Sequence, residues 1–359
     1  MAELKTSRQG AVEPFTVIEG PAAWTASDFP VLEETMLHLT PAHVAELDAA
    51  VEQVLASGKP LQHVDLSDFE LPTLSGPLVD VGQEAQFGRG WALVRGVPVW
   101  RYSRQQQLAA YWIFGLHWGR AVPQNGKGHL IGHIKDIGHD PKDPLTRLYA
   151  TNAAQPWHND GPADLVSLLC LSNAEEGGDS GWSSSVSVHN EIVRRAPHLA
   201  PVLAGPWFFD RKSEVPNGKK PFFEIPVFNY HRGHLSVNYS DNYYLLSQRH
   251  AEVPKLQPHH HEAMALFNQL ACSPELSLRH VLQPGDVQLL SNHVCLHYRG
   301  AFTDSPEHTR HLLRLWVAPP TDRPLPECYA EIMGGSVVPG KRGGIFIQGA
   351  QPNIPEEAE

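Results

Sequence analysis

Cysteine is scarce in this chain: Cys170, Cys272, Cys295 and Cys328 lie scattered along 359 residues with no C-x-x-C pair. That density excludes a disulfide scaffold. Positive charge is also in short supply, since 28 Lys and Arg face 39 Asp and Glu, for a formal charge of −11. Without a basic surplus there is nothing to neutralise phosphates, which excludes a general binder of nucleic acid or anionic membrane. No apolar run reaches membrane-spanning length, and the opening MAELKTSRQG has no apolar h-region. The expectation is a soluble, cytoplasmic protein acting on a small molecule; its oligomeric state is not legible. What the chain does have is 42% hydrophobic residues, enough for a large core, and 31 Pro with 29 Gly, which suit short strands and turns.

Residues 1–30 are polar and broken by Pro and Gly, and are expected to form an arm lying on the body. Thr40-Pro41 reads as the start of a helix carrying Val44, Leu47, Val51 and Val54 at helical spacing. A helix-and-loop unit is expected over 61–90, a buried strand at Gly90–Gly96, and a helix from Ser103 to Trp118. From about residue 120 the texture changes to short strand-like runs. They are Leu145–Thr151, Leu165–Ser172, Ser183–Val188, Phe222–Tyr230, His234–Tyr239, Val287–Leu290 and Leu312–Ala318, with helices near 189–203 and 258–272. Many short strands separated by turn residues predict a sandwich or jelly-roll barrel, a mainly β fold with added helices.

Chemistry concentrates in three stretches. In Gln155-Pro156-Trp157-His158-Asn159-Asp160-Gly161, a strand or strand edge would send His158 and Asp160 from one face. An imidazole and a carboxylate so placed can hold a metal at adjacent positions, and a third ligand from elsewhere would complete the two-histidine-one-carboxylate triad that binds Fe(II). The second stretch, Gly285 to Arg299, offers His297 for that role, with His293 as a competitor four residues earlier. The third, Thr309 to Val317, read as a strand, aims Arg310, Leu312, Arg314 and Trp316 at one face. Two guanidiniums inside a barrel are costly unless an anion neutralises them, and a dicarboxylate co-substrate would satisfy both.

Taken together, His158-x-Asp160, Gly177-Gly178-Asp179-Ser180-x-Trp182, Gly285-Asp286 leading to His297, and Arg310-His311-Leu312-Leu313-Arg314-Leu315-Trp316 resemble the taurine dioxygenase-like family in order and rough spacing. The resemblance spans about residues 85–320. It implies a double-stranded β-helix (jelly-roll) core with N-terminal and inserted helices, and a dioxygenase using Fe(II), 2-oxoglutarate and O2. It further implies His158, Asp160 and His297 as iron ligands, favouring His297 over His293. Arg314, assisted by Ser180, is expected at the distal carboxylate of 2-oxoglutarate, and Arg310 near the iron-chelating carboxylate. Asn152, Gln124 and Asn125 are the candidate polar groups on the substrate side. The tail through Ile345 and Ile347 is expected to fold back over the site. The organisation implied is an arm and helical segment over 1–85, an oxygenase core over 86–320 and a tail over 321–359, packed as one unit. The expected reaction oxidises a C–H bond, most commonly by hydroxylation, in a small polar, carboxylate-bearing substrate and releases succinate and CO2. A non-catalytic jelly-roll module, or a metal hydrolase or isomerase without 2-oxoglutarate, are the alternatives; neither gives the paired arginines a task.

Overall fold

The computed structural model describes residues 12–359; the first eleven residues of the expected arm lie outside the described part. Two antiparallel sheets face one another. Their strands, in chain order, are β1 (Leu37–His38), β2 (Trp91–Arg95), β3 (Arg120–Ala121), β4 (Ile131–Ile134), β5 (Gln155–His158), β6 (Leu165–Ser172), β7 (Ser180–Ser184), β8 (Ser277–His280), β9 (Val287–Ser291), β10 (Cys295–Arg299) and β11 (His311–Ala318). The seven-stranded sheet runs β1-β2-β9-β6-β11-β3, with β4 also paired to β11. The four-stranded sheet runs β8-β7-β10-β5. Only the short β1–β2 pair is parallel. This is the expected jelly roll.

Strand alternation divides the core into layers. Outward residues of the large sheet, among them Leu165, Leu169, Val287, Leu289, Leu313, Leu315 and Val317, pack against three helices: α1 (Pro41–Ala56), α2 (Ser75–Phe87) and α3 (Arg104–Leu116). The inward residues Val166, Cys170, Leu290, Leu312 and Trp316 meet Trp182 of the opposite sheet. The small sheet is backed by α4 (Ser185–Arg195), α5 (Ala200–Leu203) and α7 (Pro258–Ala271), through Leu296, Ile192, Leu203 and Phe267. A further helix, α6 (Asp241–Ser247), borders the barrel mouth.

Local signals explain most boundaries. Thr40 Oγ1 accepts from His43 N at 3.2 Å and Pro41 opens α1, whose buried face is Leu47, Ala50, Val51 and Val54. Ser103 and Gln106 cap α3 reciprocally. Three expected strands are corrected; Phe222–Tyr230 is two strands, Phe222–Glu224 and Phe228–His231, interrupted around Pro226. Leu145–Thr151 holds only a 3-10 turn, Leu148–Ala150, because Asp143 takes the Leu145 and Thr146 backbone N–H groups before they can pair with a strand. Within Ser183–Val188 the strand stops at Ser184, whose Oγ accepts from Ser187 N at 2.9 Å and starts α4. Of the arm, Ile18, Ala22 and Trp24 are buried against the body.

Candidate active site

β5 and β10 lie side by side with His158 opposite His297. Trp157 and Tyr298 stack at 5.2 Å on the outer face, so period-2 alternation sends both histidines inward. The rings meet at 4.1 Å between centroids. Beyond His158 the strand ends, and Asn159 holds the turn by donating to Cys295 O (2.6 Å) and accepting from Tyr239 N (2.9 Å). Asp160 then returns to the same side, its N–H bonded to Asn292 Oδ1 at 3.0 Å. One donor atom from each of His158, Asp160 and His297 lies within 4.8 Å of the others.

The electrostatics prepare these donors for a cation. Burial holds both imidazoles below their ordinary pKa, His297 at about 3, so they are neutral at pH 7. Burial acts to raise the Asp160 pKa, but Arg314, His297 and His158 outweigh it and keep the carboxyl well below the usual range. His158 Nδ1–H donates to Pro156 O at 2.7 Å, which fixes the tautomer and leaves the Nε2 lone pair inward. The Gln155 amide donates to that nitrogen at 2.7 Å, and buried His297 Nδ1 has no partner. Two nitrogens and one carboxylate, buried and partly unsatisfied, fit a first-row metal that keeps open positions.

Two hollows meet at this triad. The larger, about 260 Å³, opens to solvent between loops and is walled by Tyr149, Phe209, Lys212, Tyr243, Ile345 and Phe346, among others. The smaller, about 30 Å³, runs into the barrel between Ile134, Val166, Leu168, Ser180, Arg299 and Arg310. Asp160, Gln155 and Arg314 touch both.

β11 carries Arg314 and Trp316 into the barrel as its alternation requires, with Arg310 just before its first residue. Arg314 Nη1 and Trp316 Nε1 donate to Asp160 Oδ2 at 3.0 and 2.8 Å, and Arg314 Nε donates to Gln124 Oε1 at 2.6 Å. Arg310 is different. Its Nε reaches Gly178 O at 3.3 Å, while its buried Nη1 has no partner, and burial lowers its pKa to about 10. Gly178 has φ +73°, and a Cβ there would come within 2.7 Å of Arg310 Nε, so the double glycine makes room for that side chain. Neighbouring Arg299 also has unpartnered Nε and Nη1 atoms, with burial lowering its pKa to about 9.

Of the other expected residues, Ser180 lines the inner cleft and Ile345 the outer cavity. Gln124 is buried behind Arg314, donating to Leu130 O and Arg314 O, and Asn125 closes an adjacent turn; neither lines the cavity. Asn152 is exposed and Ile347 lies beside Gly126, also off the cavity wall. His293 is turned away into its own pair with Asp164 Oδ1 at 2.7 Å. Three participants were not singled out in the sequence. Arg299 shares parity with His297 and was discoverable; Gln155 and Lys212 carry no signal.

Comparison with known proteins agrees with this geometry. The profile of the taurine catabolism dioxygenase TauD, TfdA family matches residues 57–316. FR-33289 synthase of Streptomyces rubellomurinus is 32% identical over 320 residues, covering 86% of this chain and 89% of the relative. A taurine hydroxylase-like protein of Stachybotrys chartarum is 29% identical over 318 residues, covering 83% and 81%. The non-heme iron oxygenase OrfP shares the fold. Solved with Fe and alpha-ketoglutaric acid it gives a TM-score of 0.60 at 16% identity, over 79% of this chain and 93% of that one. Solved with Fe, succinate and (3S)-hydroxy-L-Arg it gives 0.59 at 17%, over 79% and 94%.

Proposed function

The chain belongs to the taurine catabolism dioxygenase TauD, TfdA family, and from that premise we propose an Fe(II)- and 2-oxoglutarate-dependent dioxygenase that hydroxylates a small polar, carboxylate-bearing substrate. The observation that carries this reading is a neutral-His, ionised-Asp triad at the junction of two hollows, the inner one ending on a guanidinium with a free donor.

His158, Asp160 and His297 are the residues that would hold Fe(II). Bound there with 2-oxoglutarate and O2, the metal supplies the oxidising power to break a substrate C–H bond, and the co-substrate leaves as succinate and CO2. The protein's own part is orientation and exclusion of water. We assign the far carboxylate of 2-oxoglutarate to Arg310 and Ser180, reversing the expected order of the two arginines. Arg314 already engages Asp160 and Gln124, so it serves as a positioning residue that aims the carboxylate ligand, with Trp316 bonded to the same oxygen. Arg310 keeps a free Nη1 in a cleft walled by Ile134, Val166 and Leu168, where a carboxylate would supply the missing acceptor. The primary substrate enters the larger cavity, facing His158 and Asp160 from the solvent side. Gln155 must release His158 Nε2 as the metal arrives. Hydroxylation as the outcome is supported by the relative named for taurine hydroxylation and by the hydroxylated amino acid held by OrfP.

Anaerobic titration of metal-free protein with Fe(II), then 2-oxoglutarate, tests the assignment. A weak visible charge-transfer band is expected only when both are present. His297→Ala should remove it, and Arg310→Leu should raise the 2-oxoglutarate needed while leaving bound iron unchanged. Bound iron with no band at any 2-oxoglutarate concentration would sink the proposal and favour a metal hydrolase or a binding module.

A further inference from the structure

The larger cavity is lined by several charges, and most are already engaged. Asp210 is clasped by Arg249 at 2.8 and 3.0 Å and by His250 at 2.7 Å. Glu214 is paired with Arg147 and accepts from Gly126 N. Glu331 holds Arg211 at 2.5 Å and Lys219 at 2.8 Å. Lys212 has no carboxylate oxygen within 4.0 Å among the described residues; its Nζ makes one hydrogen bond, to Thr146 O at 2.7 Å. Two of its three N–H donors are therefore uncommitted. The ammonium sits 4.9 Å from the centre of the Tyr243 ring. The Tyr243 hydroxyl accepts from Arg147 Nη1 at 2.9 Å, which leaves its own proton free to donate.

The backbone is arranged to keep Lys212 there. Its φ is +53°, a left-handed conformation uncommon for a residue with a Cβ. Asp210, fully buried, imposes that turn by accepting the Lys212 N–H at 2.5 Å. A strained residue presents a half-buried cation to a cavity whose Asp210, Glu214 and Glu331 are already paired. Asp241, held by Asn242 N and Asn268 Nδ2, has no cation within 4.0 Å among the described residues and lies in no ion pair with Lys212. Burial, with Arg147 close by, lowers the ammonium pKa to about 8, so it remains largely charged at pH 7.

We propose that Lys212, with the Tyr243 hydroxyl, is the specificity-determining anchor for a compact oxyanion on the primary substrate, a carboxylate or a phosphorus oxyacid. This rests on the cavity being the primary-substrate site. A single ammonium is a point charge with rotatable donors, so it accepts planar or tetrahedral oxyanions without the fixed two-point geometry of the guanidinium fork at Arg310. The substrate would thus be held at one end by Lys212 while the carbon to be oxidised faces the triad.

The test uses acetate and inorganic phosphate as probes, titrated by calorimetry into the protein carrying Arg310→Met, which removes one of the two guanidiniums with free donors in the inner cleft. Saturable binding is expected for at least one probe, and the stronger of the two names the substrate's anionic group. Adding Lys212→Asn should weaken it about tenfold or more, as loss of a charge-assisted hydrogen bond requires. Asn suits the left-handed backbone, so folding is preserved; Lys212→Arg should restore most of the affinity. Absent binding in the Arg310→Met parent, or equal binding after Lys212→Asn, overturns the proposal. The Fe(II) and 2-oxoglutarate band of Lys212→Asn alone should match wild type. A missing band in wild type would overturn the oxygenase reading while leaving the anion result standing.

Discussion

The barrel contains two groups of three acid and imidazole side chains that look alike. His158, Asp160 and His297 form one; Asp164, His293 and Asp322 form the other, and each brings its donor atoms within 4.8 Å. The difference is what stands among them. In the second group Arg342, fully buried, donates through Nε to Asp164 at 2.8 and 3.1 Å, and its Nη2 lies 2.7 Å from Asp164 and 3.8 Å from Asp322. A cation from the chain itself already occupies that space. In the first group the corresponding guanidinium, Arg314, reaches only Oδ2 of Asp160, and the larger hollow opens onto His158 and Asp160, the smaller onto Asp160 and His297. Proximity is thus the same in both, although the first group has two imidazoles and one carboxylate and the second one imidazole and two carboxylates; an internal counter-ion further separates a fold-stabilising cluster from one able to take a metal.

Breaking each group should give opposite phenotypes. Asp160→Ala should abolish turnover, by at least about a thousandfold on the scale of a lost catalytic metal, while the protein stays folded; iron content by plasma emission and a circular dichroism melt read both. Arg342→Met should do the reverse. It removes the cation shared by two buried carboxylates, leaving Asp164 only His293 and Asp322 only Arg323 at 3.9 Å, so urea unfolding should show a loss of about 3–5 kcal/mol, whereas whatever protein remains folded keeps its iron. A smaller effect is expected from His293→Gln, about 1–3 kcal/mol from an incompletely matched Asp164, with metal stoichiometry still one per chain. Stoichiometry falling to zero would mean that the second group, not the first, holds the metal. Arg314→Leu should sharpen the contrast most gently: weaker iron retention under chelator, because Asp160 loses its aim, but a 2-oxoglutarate requirement changed less than by Arg310→Leu.

The jelly roll and the first group were legible because both rest on strand periodicity. Leu312, Arg314 and Trp316 share a face by alternation on β11, whereas the spacing of two between His158 and Asp160 was realised by the turn at Asn159 after β5 ends, and Arg310 lies just before β11. The choice between His293 and His297 was not readable from spacing, since four residues preserve parity; it was decided by the turn at Ser291–Val294, which ends β9 and carries His293 to Asp164. The order proposed above for the two arginines departs from the expected one for a related reason. Which guanidinium is already bonded depends on Gln124, 190 residues away along the chain. Beyond His158, Asp160, Arg314 and Trp316 the outer cavity was hidden, because the rest of its wall comes from segments near 147–149, 209–219 and 344–346 and the start of α6 that periodicity does not mark.

Arg342 has one more consequence, and it concerns how such a protein can change over time. Two residues after this buried plug, Gly344 N–H donates to Pro162 O at 2.7 Å and Ile345 N–H to Pro123 O at 2.8 Å, laying the chain along the cavity rim. The main chain and Arg342 do most of the fastening, helped by Ile345 packing on the core, while half-exposed Phe346 gives the rim its shape. Attachment and shape are therefore written in adjacent but separate letters. Mutation at 346 can remodel which molecules the cavity admits without loosening the tail or touching the triad, a division that lets substrate range drift while the chemistry is inherited intact.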